Sequence, residues 1–250
     1  VATMNQTNRE LIKKMNISTD AIIANQCKYS GIEEFLYKGR EIKYINTKTK
    51  GVGLNRNIGL LASTGDIILL ADDDIRYEDD YESIILNEFK KNPKADILIF
   101  NLREKDSERY KITDKHKIGY FNYMRYGTVR IAARRNSLIK HNITFNQNFG
   151  GGSKYGSGED TLFLTECLKA KLNIYAVPEY IGTIKDERES TWFKGFNEKY
   201  FMDKGALFYN ISKKFYILLI LQFVIRNNSK TGAELGFLSK IKSLLKGVKQ

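Results

Sequence analysis

Apolar residues in the first hundred positions fall into short runs divided by amphipathic stretches. Residues 1–4, 20–25 (DAIIAN), 42–46 (IKYIN), 67–71 and 96–101 are β-branched or aliphatic and are bounded by polar or turn residues, which predicts strands. Between them, residues 7–15, 54–63 and 81–91 carry apolar side chains at three- and four-residue spacing, which predicts helices, the last stopping before Pro93. Strands alternating with helices build parallel βαβ units with helices on both faces of the sheet. In such sheets ligands bind beyond the carboxyl ends of the strands. Further along, 127–142 reads as a strand followed by a short helix, 146–160 as a glycine-rich loop, 160–171 as a helix and 173–178 as a strand. After Trp192 the pattern becomes helical, aromatic and basic. No internal repeat of fixed period is present.

The chain has 250 residues, 42% of them hydrophobic and 12% aromatic, enough for one large domain or a domain with an appendage. Cys27 and Cys167, with no Cys-x-x-Cys pair, read as reduced thiols of a cytosolic protein. The opening VATMNQTNRE has no basic stretch followed by an apolar one, so no signal peptide is expected. A net charge of +12 calls for an anionic partner: nucleic acid, an acidic membrane leaflet or phosphorylated small molecules. A lysine-rich coding bias is the plain alternative.

The run IILLADDDIRYEDD (67–80) breaks this basic background. A buried strand ends in Asp72, Asp73 and Asp74. Such a cluster is either a solvated turn or helix cap, or a site for a hard divalent cation, which prefers carboxylate oxygens. Upstream, Gly51 and Gly53 would let backbone amides approach a phosphate, and Lys50 and Arg56 would meet its charge. No Gly-Lys-Ser/Thr step or GxGxxG fingerprint is present, so neither a P-loop nor a dinucleotide fold is indicated.

The stretch GVGLNRNIGLLASTGDIILLADDD (51–74) resembles the first half of a family 2 glycosyltransferase of GT-A fold. It carries Arg56-Asn57-Ile58-Gly59-Leu60, Thr64-Gly65-Asp66, an apolar strand and a DxD-like Asp72-Asp73-Asp74. A second hallmark, a Glu-Asp pair opening a helix after a glycine loop, is matched by GSGEDTLF (156–163). The resemblance covers about residues 1–190 and implies an α/β fold with a mostly parallel mixed sheet flanked by helices. It also implies a donor site for a nucleotide-sugar, most simply a UDP-sugar, with Mn²⁺ or Mg²⁺ as cofactor. Asp74 would ligate the metal directly, Asp72 would face the ribose and metal shell, and Asp73 would support them. Asn5, Gln6, Asn25 and Gln26 occupy places where the family reads base and ribose, although each also suits a turn. Lys50, Gly51, Arg56 and Asn57 complete the donor side. Asp160 would be the general base of an inverting transfer, with Glu159 its neighbour and alternative. Relatives often place a His after the last core strand. Here TIKDEREST (183–191) has none, Asp186 or Lys185 is the candidate to stand there, and His116 and His141 lie elsewhere.

Residues 191–250 are expected to form a helical extension to the domain at 1–190. Trp192 is the acceptor-site candidate, since aromatic faces stack on sugars. Residues 215–225 (FYILLILQFVI) would make a helix of roughly 16 Å, too short to cross a bilayer. Beyond it, LGFLSKIKSLLKGVKQ repeats leucine and isoleucine at three- and four-residue spacing with lysines between, the pattern of a basic amphipathic helix. These features predict peripheral association with the inner face of an anionic plasma membrane, or a homodimer contact. They favour a glycan or lipid-linked saccharide acceptor and no nucleic acid, for which no signature is present. The rival readings are a nucleotidyltransferase and a non-catalytic basic protein that docks on membrane or nucleic acid.

Overall fold

The computed structural model describes residues 1–104, 110–185, 195–227 and 236–249. In chain order the elements are β1 (Ala2–Met4), α1 (Glu10–Lys14), β2 (Ala21–Gln26), β3 (Gly31–Tyr37), β4 (Arg40–Thr47), α2 (Val52–Ala62), β5 (Ile67–Leu69), β6 (Ile75–Tyr77), α3 (Tyr81–Lys91) and β7 (Ile97–Arg103). They continue with β8 (His116–Lys117), 3₁₀ turns at Tyr123–Arg125 and Thr128–Arg130, β9 (Ile131–Arg134), α4 (Arg135–Lys140), α5 (Glu159–Lys169), β10 (Ile174–Ile184), α6 (Glu198–Ile211), α7 (Tyr216–Asn227) and α8 (Phe237–Val248).

One sheet has the order β1-β2-β4-β3, with the first three strands parallel and β3 antiparallel to β4. The second has the order β5-β9-β7-β10-β6, with β8 beside β10. The two meet where Ala2 bridges Asp72 and the Ala2 amide donates to the Ala71 carbonyl at 2.8 Å. The aspartates therefore leave the strand direction at the seam between the sheets.

The central strand β7 is buried from Ile97 to Leu102, and its alternation explains the layers. Ile97 and Ile99 face one apolar cluster with Leu60 of α2, Leu138 of α4 and Phe163, Leu164 and Cys167 of α5. Leu98, Phe100 and Leu102 face another with Leu11, Ile12, Tyr81, Ile85 and Phe89 of α1 and α3. A strand with both faces covered reads as a continuous apolar run, as this one does.

The sheet is less parallel than strand–helix alternation suggests. β9 enters antiparallel between β5 and β7, and no α-helix lies among the described residues 110–130 that lead into it. β3 and β6 escape the apolar pattern. β3 is an edge strand whose first four residues are exposed, joined to β4 through Lys38 and Gly39 at φ 51° and 78°. Positive φ at both turn residues is the two-residue hairpin geometry.

The last three helices form a third apolar cluster. Phe201, Leu207 and Phe208 of α6, Ile220 and Val224 of α7 and Leu244 of α8 pack with Phe149, Tyr155 and Leu162. The helical extension is thus seated on the glycine loop and on α5.

Candidate active site

The site forms where α2, the turn after β5 and the start of α5 converge. Helix α2 opens at Gly51, whose φ of 102° is a conformation only glycine adopts readily. The first turn lies directly on the glycine loop, with the Val52 amide donating to the Gly151 carbonyl at 2.9 Å. Two asparagines then fix the helix. The Asn55 side chain donates to the carbonyls of Thr3 and Ala24 at 3.0 and 2.9 Å. The Asn57 side chain donates to the Phe145 carbonyl at 2.9 Å and accepts from the Phe145 amide at 2.7 Å.

Arg56, between these clamps, is buried and points at three carboxylates. Its Nη2 donates to both oxygens of Asp72 at 3.1 and 2.9 Å. Its Nη1 donates to Glu159 Oε1 at 2.9 Å and to Asp160 Oδ1 at 3.0 Å. Burial alone would lower the pKa of the guanidinium, but Asp72, Asp160 and Glu159 together hold it above its ordinary value. One positive charge among three acids leaves the cluster negative. Burial, followed by the negative charge of Asp160, pushes the Glu159 carboxyl up to about 7, with Arg56 opposing. Asp160 keeps 31% of its side chain accessible against 12% for Glu159.

The donor-side candidates lie around this hub. The Asp73 carboxylate accepts from the Thr3 hydroxyl at 2.5 Å and from Gln6 Nε2 at 3.3 Å. Asp74 is exposed, and its carbonyl accepts from the Lys185 amide at 2.7 Å, so the residue that follows β10 abuts the aspartate turn. Asn25 is fully buried, donating to the Gln6 carbonyl and to Asn46 Oδ1 while accepting from the Gln6 amide. Gln26 Nε2 donates to the Gly51 carbonyl at 3.1 Å. Asn5, at φ 55°, and Lys50 are exposed. The structure gathers the ends of β1 and β2 with the start of α2 around the aspartate turn. It engages the Asn57 amide with the Phe145 backbone and the Asn25 amide with the Gln6 backbone and the Asn46 side chain.

The family model for glycosyl transferase family 2 matches residues 16–151, more than half of the chain. The chain belongs to glycosyl transferase family 2. No curated protein matches it in sequence. Among solved structures, residues 1–349 of S. aureus TarS in complex with UDP-GlcNAc align with a TM-score of 0.70 at 11% identity, covering 99% of this chain and 80% of that one. The same TarS fragment with UDP aligns at 0.56, with 12% identity and 99% and 70% coverage. The mannosyltransferase PcManGT from Pyrobaculum calidifontis, in complex with GDP-Man and Mn²⁺, aligns at 0.50, with 9% identity and 99% and 73% coverage. At such identities it is the fold that is shared. This family 2 member is a glycosyltransferase of GT-A fold.

Among the described residues of the glycosyltransferase, no group of three or more His, Cys, Asp or Glu side chains is gathered for a metal. The donor set nevertheless suits a hard divalent cation, which is commonly held by one or two carboxylates plus substrate phosphates. Asp74 offers an exposed carboxylate at the turn. Asp72 would have to yield one of its Arg56 bonds. Asp186 and Trp192 lie outside the described residues. His116 bonds the Tyr126 hydroxyl and His141 the Ser137 carbonyl, both remote from the aspartates in their contacts. Sequence reasoning missed Thr3 and Thr128, whose hydroxyls donate to Asp73 and Asp160. Neither carries a motif; only the pairing of β1 with the aspartate turn and the return of the chain before β9 bring them in. It also missed Asp203 of α6, which accepts from the Gly156 amide at 2.9 Å and pins the glycine loop.

Proposed function

We propose that the enzyme is an inverting, metal-dependent hexosyltransferase that moves a sugar from a UDP-sugar to a glycan or lipid-linked saccharide. The observation that carries this reading is the Arg56 hub. A single buried guanidinium joins Asp72, at the donor end of the sheet, to Glu159 and Asp160, which lie 103 and 104 positions beyond the arginine itself. The nucleotide-sugar complexes of TarS and PcManGT, the latter with Mn²⁺, support the donor class and the cation.

In this reading Asp74, with Asp72, would hold Mn²⁺ or Mg²⁺, and Asp73 is braced by Thr3 and Gln6. When bound, the cation would stabilise negative charge on the departing diphosphate. Lys50 and the start of α2 face the same phosphates, while Asn5, Gln6 and Gln26 border the nucleoside. Asp160 takes the proton of the acceptor hydroxyl as that oxygen attacks the anomeric carbon from the side opposite the diphosphate. Glu159 is the poorer candidate, because it is enclosed while Asp160 keeps more of its side chain accessible. Residues 1–190 form the catalytic domain, and Trp192 belongs to the acceptor side of the extension. The enzyme works at the cytoplasmic face of the plasma membrane, held there through the extension.

Calorimetry with UDP and Mn²⁺ is paired with transfer assays. Asp74→Asn weakens metal-dependent UDP binding and lowers transfer on the order of a hundredfold or more, as losing this kind of charge stabilisation does. Asp160→Asn binds UDP normally and loses about 10²–10⁴ in turnover, the usual contribution of a general base. Unchanged metal-dependent affinity in the first variant would remove Asp74 from the metal site. Unchanged turnover in the second would remove Asp160 as base.

A further inference from the structure

We propose that Gly127 and Thr128 together present the base: Thr128 fixes which carboxylate oxygen of Asp160 takes the proton, and Gly127 keeps open the path by which the acceptor hydroxyl reaches it. This rests on Asp160 being the base. The two oxygens of Asp160 have different surroundings. Oδ1 accepts from Arg56 Nη1 at 3.0 Å and from the Thr128 hydroxyl. The donor is rigid, since Thr128 is 1% exposed and sits in the 3₁₀ turn Thr128–Arg130. Arg130, at the end of that turn, is itself pinned by Glu104 at 2.7 Å. Two donors on Oδ1 leave Oδ2 as the lone-pair donor for a further proton.

Gly127 borders Oδ2. A Cβ on Gly127 would lie 3.6 Å from Asp160 Oδ2 and within 4 Å of no other atom outside its chain neighbours. The backbone there, at φ −88° and ψ 161°, is extended and accepts any residue. Neither conformation nor crowding therefore demands glycine at 127. What its missing side chain leaves is space over the one oxygen that is not already saturated. An acceptor hydroxyl entering that space passes its proton to Oδ2 while its oxygen bonds the anomeric carbon. The bond from that carbon to the diphosphate breaks, and its electron pair leaves with the diphosphate. Thr128 is thus a positioning residue, and Gly127 sets how bulky an acceptor can approach.

The test uses the full chain with Mn²⁺ and the UDP-sugar that the parent hydrolyses fastest, in buffer containing glycerol, so that water and glycerol compete as acceptors. Because the ratio of glycerol adduct to free sugar is read within one reaction, it is independent of donor affinity and of the fraction folded. Gly127→Ala lowers that ratio about tenfold or more, since a misplaced ångström at the reacting centre costs this much, while melting temperature and UDP affinity stay at parental values. Thr128→Val lowers kcat about tenfold to a hundredfold with KM for the donor unchanged, and Thr128→Ser, which restores the hydroxyl, recovers it to within about threefold. An unchanged product ratio in Gly127→Ala overturns the role of Gly127. Parental kcat in Thr128→Val, or a Thr128→Ser variant as slow as Thr128→Val, overturns that of Thr128. Asp160→Asn separates the two levels: if it transfers normally the base assignment itself has failed, and if it is inactive while these variants behave as parent, only the present inference has.

Discussion

Arg56 faces more negative charge than it can neutralise, and that imbalance is where single substitutions should speak loudest. Arg56→Met leaves Asp72, Glu159 and Asp160 crowded without a counter-charge. Removing one partner of a buried ion cluster typically costs about 3–5 kcal/mol, so the variant should show a correspondingly lower urea midpoint at neutral pH. Glu159 gives a pH signature. Its carboxyl is raised from 4.5 to about 7 in the folded enzyme, so the folded state binds the proton more tightly than the unfolded one. The contribution to stability is full below the unfolded pKa and is lost as pH rises through about 7. Glu159→Gln has no such proton to lose. Its stability, measured by urea unfolding without donor at about pH 5 and about pH 8, should fall less between the two than the parent's, by on the order of 1–3 kcal/mol. Equal slopes would show that Glu159 is ionised throughout. At this scale the motifs named Arg56, Asp72, Glu159 and Asp160 from the sequence, but not that one guanidinium holds all three acids. What the motif also does not reveal is that Asn57 bonds the Phe145 backbone and Asn25 bonds the Gln6 backbone and the Asn46 side chain, because a buried amide satisfies itself on whatever groups the fold brings near.

Among the elements, α3 spans 81–91 as its apolar spacing predicts, and α5 and α7 fall within two residues of expectation. Buried faces with a strict period are legible. β3 is not, since an edge strand with one half-covered face has neither a continuous apolar run nor a clean alternation, and β6 alternates over only three residues, too short a run to read. The tail helix shows the same limit more sharply. Its leucine stripe suggests that the leucines are buried, yet Lys240, Ser243, Leu244 and Gly247 face inward while Leu238 is 78% exposed. The reason is close approach: a Cβ on Gly205 of α6 would lie 1.8 Å from the Leu244 carbonyl oxygen, and one on Gly247 of α8 would lie 1.9 Å from that of Met202. The two helix backbones touch where Gly205 and Gly247 leave room, and Leu244 packs beside that crossing. Gly205→Ala should therefore prise α8 from α6, at a cost of about 1–3 kcal/mol for forced overpacking. Hydrogen exchange should accelerate in α8 while β7 keeps its protection. Parental exchange in α8 would mean that the crossing is looser than the backbone distances imply.

At the scale of the whole molecule, the question is what the excess of positive charge and the outer face of the extension meet. No helix among the described residues is long and apolar enough to cross a membrane. Yet α7 and its approach expose Phe215, Ile217, Leu218 and Ile225, each at least half accessible, and α8 exposes Leu238. Lys213, Lys214, Arg226, Lys242 and Lys249 stand on the same two helices or at their ends, and all are exposed. Exposed apolar side chains and cations on the same two helices suit an anionic lipid surface, where each cation adds roughly 1 kcal/mol of attraction and the inserted side chains add more. Deleting the tail would not test this, because it would also strip Leu244 and Gly247 from α6. Surface changes on α7 do. Leu218→Asp with Ile225→Asp should leave melting temperature and UDP affinity unaltered and abolish most co-sedimentation with vesicles containing phosphatidylserine. The parent's vesicle binding should weaken from about 0.05 M to about 0.5 M salt, as screening requires. If instead the parent sediments as a dimer and the double variant as a monomer, with vesicle binding absent in both, the face is a subunit contact and the membrane assignment falls.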